Sequence, residues 1–208
     1  MTVLKNPEFK GLSEADREMI TELSSAFVVS KTEEDFRGVM ERLRRKVPFT
    51  HWGCSLARLA NEYEATSNYI SINNFAPVFM EAYRANAAEF FDVIVLYHFK
   101  EQGFGALQRW EETFKDFEGR KEEADPLLFK KHLAWRAFLD EFNMMLDGYS
   151  IGSRSHLVSG EHWFGSIINY ADDLEYNPRT EAIFRALVDA QHASLVRILK
   201  PRLDEAFN

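Results

Sequence analysis

The chain has 208 residues, 46% of them apolar, which suits one domain with a substantial core and argues against disorder. A formal net charge of -8 and a pI near 5.3 argue against broad binding to phosphate backbones, which needs clustered Lys and Arg to displace counterions. Cys54 is the only cysteine, so no intramolecular disulfide or thiolate-rich metal site can form. Apolar runs such as Val93 to Tyr97 are too short to span a bilayer, and Met1 to Lys10 has no signal-peptide core. A cytoplasmic protein is expected.

Ser13, with Asp16 and Glu18 following, predicts a helix start, and Met19, Ile20, Leu23, Phe27 and Val28 recur at helical spacing behind it. Thr32, with Asp35 three residues on, predicts a second capped start, and Phe36, Val39, Met40 and Leu43 give that helix a buried stripe that Pro48 ends. The dense basic run Arg42, Arg44, Arg45 and Lys46 reads as the solvated end of this helix. Trp52 to Leu59 and Asn68 to Ile72 read as neighbouring strands, with Glu62 and Glu64 in the turn. Pro77 opens a helix bearing Phe79, Met80, Tyr83 and Ala87, and a short apolar helix runs from Asp92 towards His98. Gly103 and Gly105 mark a loop before Trp110, and Gly119 to Asp125 is a charged connection.

From Pro126 the apolar positions Leu127, Phe129, Leu133, Trp135, Phe138, Phe142, Met145 and Leu146 predict a helix buried on more than one side, with Gly148 as its stop. Tyr149 to Val158 and Trp163 to Tyr170 read as a hairpin around Ser159-Gly160-Glu161. A last helix from Pro178 to about Ala206 carries Ile183, Phe184, Leu187, Val188, Leu195, Ile198 and Leu199, with a kink or break expected at Pro201. This order predicts a single domain over residues 1–208 of class α/β, an α-β-α sandwich with a central antiparallel sheet (PAS/GAF-like). Such domains often hold a small ligand between the sheet and one helical layer.

No catalytic constellation stands out. The chain lacks His-Glu-x-x-His, Gly-x-Ser-x-Gly and a phosphate-binding loop ending in Gly-Lys-Ser/Thr. Glu161 and His162 are adjacent, which on a strand sends them to opposite faces, so a surface hairpin is favoured over a metal site with His156. Cys54 alternates with Trp52 and Leu56, as a buried structural thiol would. No enzyme activity, cofactor or metal is expected.

The segment from Asn74 to Trp110 is more specific. Asn74-Phe75-Ala76-Pro77-Val78-Phe79-Met80-Glu81-Ala82-Tyr83 resembles the stretch Asn-Tyr-Pro-x-x-Trp-x-x-x-Tyr of LuxR-type autoinducer-binding domains. Asp92-Val93-Ile94-Val95 follows at the spacing of that family's Asp-Pro-Val-Val, and Trp110 lies slightly further on than its next tryptophan. Gly148 before a strand, the strand Trp163 to Ile168, and the stretch from Ser30 to His51 are similar too, so the resemblance covers roughly residues 15 to 205. The alternative is that Phe79, Tyr83 and Trp110 are only core aromatics.

The resemblance implies a pocket for an acyl-homoserine lactone or related small molecule. Asp92 would accept from the ligand's amide and Tyr83 would donate to its acyl carbonyl. Trp110 would pack on the head group, and Asn169 would stand where a Ser or Thr often contacts the acyl carbonyl or a water. Three departures matter, one of them Val93 in place of the family's Pro after the Asp. Phe79 replaces the tryptophan that donates to the lactone, Phe75 replaces a second pocket tyrosine, and each lost hydrogen bond costs about 1 kcal/mol net. A signal other than a standard acyl-homoserine lactone is therefore expected.

No helix-turn-helix follows before Asn208, so no direct DNA binding is expected of this chain. The apolar positions of the last helix lie at more than one angle, which suggests a homodimer or a heterodimer with a full-length regulator; the alternative is that one subunit buries both stripes. Two functions follow. One is a sensor of a small-molecule signal within a quorum-sensing transcriptional regulator. The other is a ligand-independent module that heterodimerises with a full-length LuxR-type regulator and inhibits it.

Overall fold

The computed structural model describes residues 11–47, 49–59, 65–86, 93–120, 126–143, 148–156, 163–171 and 176–207. Helix α1 (Glu14–Val29) begins at Ser13 and α2 (Glu33–Arg44) at Thr32, each with the reciprocal capping box expected from Asp16 and Asp35. Strands β1 (His51–Leu59) and β2 (Ala65–Asn73) follow, then α3 (Pro77–Asn86), α4 (Val93–Gln102), β3 (Gln108–Arg109), α5 (Trp110–Gly119), α6 (Pro126–Glu141), β4 (Gly148–His156), β5 (Trp163–Ala171) and α7 (Pro178–Phe207).

The strands form one antiparallel sheet in the order β2-β1-β5-β4-β3. Its centre is a non-local pair, β1 with β5, in register from His51↔Ala171 to Leu59↔Trp163. The expected α/β class with a central antiparallel sheet is what the structure has.

Strand alternation gives the sheet two unlike faces. Trp52, Cys54, Leu56, Ile72, Tyr149, Ile151, Phe164, Ile168 and Tyr170 point one way and are buried in the main core with α1, α2 and α7. There the Tyr170 ring lies on Phe184 at 3.7 Å with the planes 2° apart. Arg179 of α7 clamps the capping carboxylate Asp16 at 2.6 and 3.0 Å. Arg197 donates at 2.9 Å to the carbonyls of Phe27 and Ser30 at the end of α1, where a cation complements the helix dipole.

Several expectations are corrected. The segment after Gly105 holds a two-residue strand and the helix α5, which was not foreseen because only Thr113, Phe114 and Phe117 of that helix are buried beneath a polar surface. Helix α6 ends at Glu141, and Asn143 adopts a positive φ of 51°; Gly148 instead opens β4. Leu127 and Leu133 are 60% and 49% exposed, so α6 is less enclosed than its composition predicts. Helix α7 runs unbroken through Pro201, which is exposed, because Leu199 and Leu203 on either side are buried in the core.

Both apolar stripes of α7 are satisfied within the chain. Ile183, Phe184, Leu187, Leu195 and Leu199 are buried, Ile198 packs against the same core, and α7 lies on both the sheet and α1. The apolar pattern of α7 therefore gives no reason to require a partner.

Candidate functional site

The other face of the sheet is built from small residues. Gly53, Ser55 and Ala57 of β1 share it with Gly148, Ser150 and Gly152 of β4 and with Gly165, Ile167 and Asn169 of β5. Where the first face carries rings and branched chains, this one leaves room above the backbone. The segments between β2 and β4 cover parts of it with aromatic side chains.

The turn after β2 places the first group. Asn74 accepts from the Trp52 backbone N–H at 2.7 Å and donates to the Thr50 carbonyl at 3.0 Å, while Asn73 accepts from the Phe75 N–H at 3.2 Å. These bonds set the Phe75 ring over Gly53, where an added Cβ would lie 3.2 Å from it, and parallel to His51 at 5.5 Å. Phe75 and Tyr83 flank Phe79 on α3, with ring centroids 5.0 and 6.4 Å from it. Phe138 of α6 and Phe142 just beyond its end close on Phe79, each at 5.3 Å, and Trp135 meets Tyr83 at 5.7 Å. Phe79 is buried and Tyr83 half-buried.

A second group covers the middle of the sheet. Phe99 stacks on Phe104 at 5.1 Å, and a Cβ on Gly152 or Gly165 would meet the Phe104 ring at 2.8 or 3.0 Å. The third element is Trp110. Its ring lies against Gly148, where a Cβ would come within 2.9 Å of it. The indole N–H donates to Ser150 Oγ at 2.6 Å, and Ser150 Oγ donates to Asn169 Oδ1 at 2.5 Å.

Gln108, Ser150, Asn169, Gly53 and Asn73 are consecutive partners across five strands, so one uncharged polar row crosses the small-residue face. Of the residues singled out from the sequence, Phe75, Phe79 and Tyr83 form one cluster. Trp110 and Asn169 are joined through Ser150, and Phe75 covers the glycine paired with Asn169. Asp92 lies outside the described residues, as do Glu161, His162 and the turns expected around them. Trp110 commits its only side-chain donor to the protein. Ser150 was missed, although its place two residues after Gly148 on a strand puts it on the same face.

Three buried histidines have lowered pKa values, mainly through burial: His98, His132 and His192. His192 of α7 lies 2.5 Å from Ser155 Oγ and 2.6 Å from Ser166 Oγ, tying β4 and β5 to α7 on the filled face. Cys54 is fully buried, and burial pushes its thiol far above the usual range. Among the described residues no group of three His, Cys, Asp or Glu side chains could hold a metal ion, and no helix is long and apolar enough to cross a membrane.

No family model matches the sequence, and no curated protein matches it. Solved structures do. The N-acylhomoserine lactone dependent LuxR family transcription factor CepR2 from Burkholderia cenocepacia aligns with a TM-score of 0.58 at 15% identity, covering 90% of this chain and 98% of that one. SdiA from Escherichia coli aligns with a TM-score of 0.55 at 12% identity over 88% of this chain and 67% of that one. SdiA in complex with octanoyl-rac-glycerol gives a TM-score of 0.57 at 14% identity over 89% and 68%. The chain thus has the fold of the LuxR-type autoinducer-binding domain.

Proposed function

We propose that this chain senses a small-molecule signal, as the sensor part of a quorum-sensing type transcriptional regulator, and that it acts in the cytoplasm without enzyme activity. The observation that carries this reading is the contrast within one sheet. A face of Gly, Ser and Ala lies beneath aromatic helices and is crossed by an uncharged polar row, the arrangement of an apolar pocket with a few orienting groups. Tyr83 and Asn169 are the described candidates for ligand contact, Phe75, Phe79 and Trp110 form its walls, and Asp92 keeps the amide-accepting role that the resemblance implies.

The signal is not a standard acyl-homoserine lactone. Phe79 and Phe75 cannot donate, and the Trp110 N–H is already engaged. CepR2 is lactone-dependent and SdiA has been seen with octanoyl-rac-glycerol. A neutral acyl compound of the second kind suits this pocket better. Thermal unfolding with each compound tests the reading, since a ligand at a hundred times its dissociation constant adds about 2.7 kcal/mol. Octanoyl-rac-glycerol should raise Tm and unsubstituted lactones should do so weakly or not at all, while Phe79→Trp should improve the lactone response. A Tm unmoved by any acyl compound would defeat the proposal.

One observation favours the second reading, a ligand-independent module that pairs with and inhibits a full-length regulator. The rings of α3 and α6 already pack on one another, so part of the helical layer is held without a ligand. Dimerisation, with itself or with such a regulator, would need a surface other than the apolar stripes of α7. Co-purification with a full-length regulator in the absence of ligand would support it.

A further inference from the structure

We propose that Trp110 and Ser150 are positioning residues that fix the side-chain amide of Asn169 as a hydrogen-bond donor, so that the site selects uncharged ligands carrying a carbonyl oxygen. The inference rests on the sensing reading and names the group that decides its specificity.

An indole N–H can only donate, so Ser150 Oγ must accept from Trp110. The hydroxyl has one proton left to give. Ser150 is fully buried, and the acceptor in reach is Asn169 Oδ1 at 2.5 Å. Turning the Asn169 amide over would make indole and amide both donate to Ser150 Oγ and strand the hydroxyl proton, since Ser150 has no other acceptor among the described residues. The relay therefore points in one direction, from Trp110 through Ser150 to Asn169.

Its end is the Asn169 NH2 group. That nitrogen has two protons and no partner among the described residues, and its side chain is only half-buried. Asn169 sits between Gly53, which is roofed by Phe75, and Ser150, so its side chain stands on the small-residue face. The relay is locked from behind, because Gly148 lets the Trp110 ring settle onto β4.

The row itself, Asn73, Gly53, Asn169, Ser150 and Gln108, carries no charge, which suits a neutral acceptor rather than an anion. Ala57, Gly165, Ile167 and the Phe99–Phe104 pair continue the surface as an apolar bed for a tail. The ligand class is therefore a neutral ester or ketone with an apolar chain. It takes its donor from the sheet, not from the helix that carries Phe79.

The test is a matched pair of probes, octanoyl-rac-glycerol and its ether counterpart octylglycerol, which keeps the chain and the glycerol but lacks the carbonyl. By calorimetry the native protein should bind the ester about five- to tenfold more tightly than the ether, the ratio expected of one net hydrogen bond. Asn169→Leu should bind the two alike. Trp110→Phe, which keeps a ring but removes the first donor, should reduce the ratio. A native protein that does not discriminate, or an Asn169→Leu protein that keeps the preference, overturns the assignment while leaving a sensor in place. Failure of both probes to bind the native protein overturns the sensing reading for acyl ligands and the assignment with it. Should Asn169→Leu not fold, the native ratio and its loss in Trp110→Phe decide.

Discussion

The two faces of the sheet share strands, hydrogen bonds and register, yet they are built to opposite ends. On the α1–α2–α7 face, Trp52, Leu56, Tyr149, Phe164, Ile168 and Tyr170 meet Phe27, Phe36, Phe184 and Leu195 with no side chain of that group more than marginally exposed. On the other, glycine, serine and alanine alternate with them residue by residue, and the covering aromatics stand partly on one another. Close packing gives a unique, rigid layer, whereas a small-residue surface contributes little burial of its own and leaves space. Core packing is carried by alternate positions of the strands, and the positions between them are small residues that serve the proposed recognition role.

Mutations should separate the faces by magnitude. Phe184→Ala removes a fully buried ring stacked on Tyr170 and should cost about 3–5 kcal/mol in denaturant unfolding. Phe75→Ala, on a half-buried ring, should cost clearly less; equal losses would break the comparison. Adding bulk should reverse the order of sensitivity. Gly152→Ala would place a Cβ 2.8 Å from the Phe104 ring and 3.1 Å from its carbonyl oxygen, so a loss of about 1–3 kcal/mol is expected, together with weaker binding of any acyl ligand.

A smaller effect comes from pH. His98, His132 and His192 are held neutral chiefly by burial, so their folded pKa values lie below those of the unfolded chain. The unfolded state then binds protons first, and stability should be full above pH ~6.5 and decline as the pH falls below it. Urea midpoints at neutral and mildly acidic pH check this, and His192→Gln should reduce the slope. At lower pH Asp16 adds to the decline. Hydrogen bonds from Arg179 hold its pKa down despite the opposing effect of burial, so its contribution is present above the ordinary carboxylate range and lost as the pH drops through the depressed value.

The filled face was largely legible in the sequence. Period-3.6 stripes in α1, α2 and α7 and the capping residues Ser13 and Thr32 are local signals, and the structure realises them directly. The small-residue face was not. Glycine and serine in a strand read as weak strand formers, and only the non-local register of β1 on β5 and β5 on β4 shows that Gly53, Asn169 and Ser150 make one row. Phe75, Phe79 and Tyr83 were found because resemblance marked them, and Trp110 and Asn169 likewise. Ser150, which connects the last two, has no pattern of its own. Helix α5 has little signal in the sequence because its surface is charged and its buried side is only three residues wide.

Chemical-shift mapping of octanoyl-rac-glycerol on isotopically labelled protein tests the division of the sheet most directly. Perturbations are expected at the Gly53, Ser150, Gly152 and Gly165 amides and at the Asn169 side-chain NH2, with the α1–α7 contact unmoved. Shifts concentrated at α1 and α7, or none at saturating probe, would contradict it.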